Sequence, residues 1–153
     1  MSADITATTA LPFDIHTLFE HLNSKDHLAL IIRAHLYLES ILIRQIETAL
    51  AKKERFDCAK LTFPNKVNLA VAMGRVDEAD CAALIALNGL RNKFAHNLGT
   101  KLDEEYKAQL YKSFSKRQQT FVDELRDTDG LDHTGRLRCD LAGLIIATNE
   151  VHA

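Results

Sequence analysis

The sequence contains few of the residues on which tight turns depend. Among its 153 residues there are only 6 glycines and 2 prolines, and tryptophan is absent. This scarcity favours helices over a fold of many short strands. Hydrophobic residues make up 46% and charged residues 26% of the chain. These proportions are typical of a globular domain, so a disordered chain is excluded.

The chain also lacks a strong net charge and a long apolar run. Its 19 basic and 21 acidic residues give a formal net charge of −2, so contact with nucleic acid needs a local basic patch. The most apolar stretch, residues 28–46, is interrupted by charged side chains, and no membrane span is predicted. Residues 1–12 lack the pattern of a signal peptide. We expect a flexible leader there and a cytoplasmic protein.

Cysteine is scarce, and its spacing indicates no metal site. Cys58, Cys81 and Cys139 lie far apart and form no C-x-x-C pair. An odd number of isolated cysteines supports neither a disulfide framework nor a zinc knuckle. The sequence therefore predicts buried or partly exposed free thiols, with no metal and no other cofactor.

Apolar periodicity and capping residues predict an all-α bundle of five to six helices, which fills residues 13–153 as a single domain. Asn23 or Ser24 can cap the second helix, Pro64 suits the start of the third, and Gly74 suits its end. Asp77 can cap the fourth helix. The predicted helices cover residues 13–22, 25–52, 64–74, 77–97, 103–126 and a last segment from about 134. Loops are predicted at 53–60 and 127–132.

Three polar residues fall inside apolar helix stripes. At about 100° per residue, His35 and Glu39 lie at the centre of the stripe on the second helix, and Arg91 lies inside the stripe on the fourth. An unpaired buried charge costs about 3–5 kcal/mol, so these groups should be paired or should line a wet cleft. One interpretation is a purely structural Arg91–Glu39 ion pair beside a core histidine. The other is a functional site, and spacing alone leaves both open.

The fourth helix carries the sequence Arg91-Asn92-Lys93-Phe94-Ala95-His96. This pattern resembles the RNxxxH signature of the HEPN superfamily, small helical-bundle proteins of which many are metal-independent ribonucleases. The segment from Phe63-Pro64-Asn65-Lys66 to Leu87-Asn88-Gly89-Leu90-Arg91 also resembles the mannitol-repressor, or MltR-like, branch. The resemblance covers about residues 28–110 and implies a HEPN-like bundle.

The HEPN resemblance implies an RNA endonuclease, the toxin component of a toxin–antitoxin or defence system. In that hypothesis Arg91 stabilises the scissile phosphate, His96 transfers a proton and Asn92 orients one of them. Glu39 and His35 would support Arg91 from the facing helix. The chemistry fits these residue types, because metal-free RNA cleavage needs a proton-transfer group and a cation for the charged phosphorane. An antitoxin protein and an RNA substrate are the implied partners.

The spacing of the motif also bears on the oligomeric state. On an ideal helix, Arg91 and His96 point about 140° apart, whereas Asn92 and His96 share a face. Either the helix unwinds near Ala95, or a second copy completes the site. HEPN proteins use the second arrangement, so we expect a homodimer whose isologous interface surrounds this turn.

Other interpretations remain open at this point. Basic residues on the fourth and fifth helices could contact an RNA backbone, although acidic residues on the fifth helix also suit a solvated face. These candidates are Lys93, Lys112, Lys116 and Arg117. The chain could instead be an MltR-like transcriptional regulator or protein-interaction module without catalysis, or could bind a nucleotide without turnover. Some HEPN toxins have a tyrosine, which a partner enzyme modifies, where this chain has Leu98, so that regulation is not implied.

Overall fold

The computed structural model describes residues 14–97, 103–126 and 133–150. The predicted leader over 1–12 and the predicted loop over 127–132 lie outside the described residues. Within these ranges the chain forms seven α-helices and no strand, which confirms the all-α fold class. The helices are α1 (Ile15–His21), α2 (His27–Ala49), α3 (Phe63–Ala72), α4 (Cys81–His96), α5 (Glu104–Lys112), α6 (Lys116–Arg126) and α7 (His133–Asn149).

The ends of α3 are set by local capping chemistry. The Thr62 hydroxyl accepts a hydrogen bond from the Asn65 N–H at 3.3 Å, and Pro64 occupies the first turn, where a missing N–H costs nothing. After the helix, Gly74 has a φ of 72°, a left-handed conformation that glycine adopts without steric cost. The predicted roles of Pro64 and Gly74 are confirmed.

Two other helices begin later than predicted. The cap of α2 is Asp26, whose carboxylate accepts from the Leu28 N–H at 3.0 Å, rather than Asn23 or Ser24. Before α4, one turn of 3-10 helix (Glu78–Asp80) follows Asp77, so the α-helix starts at Cys81. The predicted loop at 53–60 contains two further 3-10 turns, Lys53–Arg55 and Cys58–Lys60.

The single helix predicted over 103–126 is wrong, because the chain forms α5 and α6 with a break between them. Ser115 and Gln118 form a capping box at the break. The Ser115 hydroxyl oxygen accepts from the Gln118 N–H at 3.1 Å, and the Gln118 side-chain oxygen accepts from the Ser115 N–H at 2.9 Å. These reciprocal bonds satisfy two N–H groups that a helix start leaves open, and they therefore stabilise a new helix at this point.

The core is built around α2 and α7. Helix α2 packs against α3, α4 and α7, while α7 also packs closely against α6. A Cβ atom added to Gly143 of α7 would lie 2.5 Å from Val122 Cγ2, so the two backbones approach too closely for a side chain at this position. None of the helices in the described ranges has both the length and the apolar character needed to cross a bilayer. The thiols of Cys58 and Cys139 are buried, that of Cys81 is half-buried, and none of the three forms a disulfide.

The buried carboxylate of Asp80 joins the starts of α4 and α6 to the end of α7. Its two oxygens accept from the Ser115 hydroxyl at 2.5 Å and from the Arg117 guanidinium at 3.0 Å. The same guanidinium donates to the Ala147 carbonyl at 2.6 Å and lies 3.5 Å from the Glu150 carboxylate. Arg117 therefore has a structural role between these helices, and its contact with an RNA backbone stays a prediction.

Candidate functional site

The last two turns of α4 carry the RNxxxH motif on the surface. Arg91, Asn92 and His96 are all exposed, whereas Phe94 is 4% exposed and anchors this end of the helix in the core. The helix is continuous to His96, after which Asn97 takes an extended conformation. The chain thus holds the backbone of the motif in place through Phe94 and leaves the polar side chains in water.

Arg91 is exposed, although it falls inside the apolar stripe of α4. Its guanidinium faces solvent and donates to Asn92 Oδ1 at 3.2 Å. Three of the four buried residues of α4, Ala83, Leu84 and Leu87, lie in the first half of the helix. The stripe that contains Arg91 is therefore covered mainly along the first half of α4, and Phe94 is the one residue buried in the second half.

Glu39 pairs with Lys66 and not with Arg91, so the structure does not support the interpretation of a purely structural Arg91–Glu39 ion pair. Glu39 Oε1 lies 3.5 Å from Lys66 Nζ, and this ammonium also donates to the Leu61 carbonyl at 2.7 Å. Lys66 is only 2% exposed, so its charge needs these partners. Lys66 was missed in the sequence, although it falls on the apolar face that the buried Phe63, Val67 and Ala70 define at helical spacing.

His35 lies under the motif as a core residue with three neighbours. Its Nε2 donates to Asn88 Oδ1 at 3.0 Å, and its ring packs on Phe63 with centroids 4.3 Å apart. Its Nδ1 lies 4.0 Å from Glu39 Oε2. We call His35, Glu39, Lys66 and Asn88 the buried cluster, which connects α2, α3 and α4. His35 thus contacts the facing helix α4 through Asn88 and not through Arg91, whereas Glu39 contacts His35 and Lys66.

The surroundings of His35 lower the pKa of its imidazole. Burial lowers the pKa of His35, and the positive charges of Arg91 and Lys66 act in the same direction. The hydrogen bond to Asn88 and the Glu39 carboxylate oppose this shift without cancelling it.

The remaining basic candidates do not form one continuous face. Lys93 Nζ contacts the Tyr106 hydroxyl and lies 4.2 Å from the centre of that ring, which ties the end of α4 to α5. Lys112 is exposed at the end of α5, and Lys116 is exposed at the start of α6. Because the chain turns between α5 and α6, Lys112 and Lys116 lie on different helices and not on one basic side of a single helix.

One cavity of the described residues lies apart from the motif. It has a volume of about 470 Å³, and its lining comes from α1, the residues just after it, α6 and α7. None of the site residues predicted from the sequence is among the lining residues of the described ranges, which are His16, Phe19, Glu20, Asn23, Leu125, Arg138 and Cys139. Within those ranges no three potential metal ligands cluster in a way that could hold an ion.

Comparison with known proteins adds no assignment. No protein family, no curated protein and no solved structure matches this chain. The HEPN-like and MltR-like resemblance therefore stays a prediction that rests on the residues quoted for it. Function has to be inferred from the exposed motif and from the buried cluster beside it.

Proposed function

We propose that this chain is a HEPN-like, metal-independent RNA endonuclease in which Arg91 binds the scissile phosphate. One observation supports this above all others. Arg91 faces solvent, while the carboxylate expected to neutralise it, Glu39, pairs with Lys66. A guanidinium in this situation can bind a phosphate through paired N–H donors, whose geometry matches two phosphate oxygens.

His96 is the proton-transfer residue of the proposed reaction. Its imidazole is exposed at the last residue of α4, and imidazoles exchange protons readily near neutral pH. In the proposed step a base removes the proton of the ribose 2′-hydroxyl, and the 2′-oxygen bonds to phosphorus. The bond from phosphorus to the 5′-oxygen breaks, and that oxygen takes up a proton. The products are a 2′,3′-cyclic phosphate and a 5′-hydroxyl.

The continuity of α4 as far as His96 supports a dimeric site. The helix does not unwind near Ala95, since it continues to His96. Arg91 and His96 of one chain therefore point about 140° apart and do not face the same phosphate. In the proposed homodimer, a two-fold axis near the end of α4 brings Arg91 of one chain to His96 of its partner, with Asn92 between them.

The proposal also includes a protein that restrains the enzyme. An RNA endonuclease with an open, surface-exposed site would degrade the RNA of its own host. We therefore assign the chain to the toxin side of a toxin–antitoxin or defence system, with RNA as its substrate and an antitoxin protein as its partner.

Purified protein incubated with single-stranded RNA in the presence of EDTA tests the proposal. The wild type should give 2′,3′-cyclic phosphate ends, and Arg91→Ala and His96→Ala should each abolish them. Arg55→Ala and His16→Ala are matched controls, because both residues are exposed and lie outside α4. Equal cleavage by His96→Ala, or no cleavage by the wild type, would contradict the assignment.

A second candidate, the MltR-like regulatory or protein-interaction module, has one observation in its favour. Ile32 and Leu36 lie one turn apart on α2 and expose 37% and 61% of their surface. Neighbouring exposed apolar side chains are a common feature of protein-binding surfaces. If this candidate is right, no RNA cleavage is detected and Arg91→Ala has no effect on any nuclease assay.

A further inference from the structure

Asn88 lies at the boundary between the buried cluster and the exposed motif. It is half-buried on α4, three residues before Arg91 and four residues before Asn92. Viewed down the helix axis, Arg91 lies about 60° to one side of Asn88 and Asn92 lies about 40° to the other. The Asn88 amide therefore occupies the middle of the face that carries both residues.

The orientation of the Asn88 amide follows from its contact with His35. The Asn88 Oδ1 atom lies 3.0 Å from His35 Nε2. A carbonyl oxygen only accepts hydrogen bonds, so Nε2 carries the proton and the amide nitrogen, with its two N–H donors, points away from the imidazole. The imidazole itself is 5% exposed and is packed on Phe63, so its position is fixed.

A phosphate bound by Arg91 would lie over this same face of α4. Arg91 lies three residues after Asn88, so their side chains are neighbours on the surface of the helix, and Asn88 is the residue that His35 contacts on α4. The N–H donors that His35 turns away from itself are thus next to the position where a phosphate oxygen would sit.

We infer that Asn88 donates a hydrogen bond from its amide nitrogen to the phosphodiester that Arg91 binds, and that His35 is the positioning residue that orients this amide. The inference rests on the proposed function, because Arg91 defines the place of the phosphate. A hydrogen bond to a charged oxygen contributes about ten- to hundredfold in affinity. Asn88 lies outside the RNxxxH pattern, so the sequence motif does not include it.

The test uses a fluorescein-labelled 2′-O-methyl oligoribonucleotide, in which the attacking 2′-oxygen is blocked. Binding is then measured by fluorescence anisotropy without cleavage. Asn88→Asp keeps an oxygen acceptor for His35 but removes the N–H donors, and it should raise Kd by about ten- to hundredfold. Asn68→Asp makes the same charge change on the exposed surface of α3 and should leave Kd unchanged.

The role of His35 is tested by rescue. His35→Leu removes the donor to Asn88 and should raise Kd, whereas His35→Gln retains an N–H donor and should restore binding. A purely structural role would instead lower the melting temperature of these variants in proportion to their loss of affinity.

An NMR experiment on the wild type keeps the inference testable even if Asn88→Asp does not fold. The side-chain amide resonances of Asn88 should shift when the oligonucleotide is added. If Arg91→Ala weakens binding while Asn88→Asp and these resonances remain unchanged, the inference is overturned and the proposed function stands. If the wild type does not bind the oligonucleotide, the proposed function fails and the inference fails with it.

Discussion

Replacing Glu39 with glutamine should destabilise the bundle, whereas replacing Arg91 with alanine should not. The Lys66 ammonium is 2% exposed and has two partners, the Leu61 carbonyl at 2.7 Å and the Glu39 carboxylate at 3.5 Å. Removing one partner of a fully buried ion pair costs about 3–5 kcal/mol. The Glu39 side chain is 34% exposed and Lys66 keeps its bond to Leu61, so we expect a loss of about 1–2 kcal/mol.

Urea denaturation followed by circular dichroism measures this difference. Arg91→Ala should remain within about 0.5 kcal/mol of the wild type, as is usual for an exposed residue. Glu124→Gln on the exposed surface of α6 makes the same charge change as Glu39→Gln and should also have little effect. The double variant Glu39→Gln/Lys66→Met removes both buried charges and should recover much of the stability that Glu39→Gln loses.

The opposite result would refute this description of the buried cluster. If Arg91→Ala lost as much stability as Glu39→Gln, and if the two losses were not additive, then Glu39 and Arg91 would form the interaction that holds the fold. The purely structural interpretation of the motif would then be correct. Full stability of Glu39→Gln would show that Lys66 does not depend on the carboxylate.

Two further predictions concern α4, α6 and α7. Gly143→Ala should lower the free energy of unfolding, measured with denaturant, by about 1–3 kcal/mol, because the new Cβ would lie 2.5 Å from Val122 Cγ2. Gly89→Ala should raise it by about 0.5–1 kcal/mol, because a Cβ there would have no atom within 4 Å. Effects of the same sign would contradict the packing. Burial raises the pKa of Asp140 to about 6, although Arg126 opposes the shift. The folded chain therefore binds this proton more tightly than the unfolded chain. When the pH is lowered from 7 to 5, the unfolding free energy of the wild type should rise by about 1 kcal/mol relative to that of Asp140→Asn, and this gain is lost as the pH rises through 6. Parallel curves of unfolding free energy against pH for the two proteins would contradict the prediction.

Short-range chemistry explains the parts of the fold that the sequence predicted. Proline at the start of α3 and glycine after its end act within a few residues, so their roles could be inferred without knowledge of the neighbouring helices. The break between α5 and α6 was missed although it also has a local signal. Ser115 and Gln118 are spaced as a capping box, but they lie inside a segment whose other residues suit a continuous helix.

The partner of Glu39 could not be predicted in the same way. Helical periodicity places Glu39 on a buried face, but it does not show which helix packs against that face. The structure places α3 there, with Lys66 on its inner side. The exposure of Arg91 is non-local for a related reason, since it depends on how far the neighbouring helices extend along α4.

The last turns of α4 use different residues for packing and for their exposed polar groups, and this has an evolutionary consequence. Phe94 anchors the final turns, while Arg91, Asn92 and His96 contribute polar groups from the surface. Substitutions at these three positions should leave the scaffold folded, so a lineage could lose the proposed chemistry through a few mutations and retain the architecture for another use. A related protein with the same bundle would then not necessarily share the proposed activity.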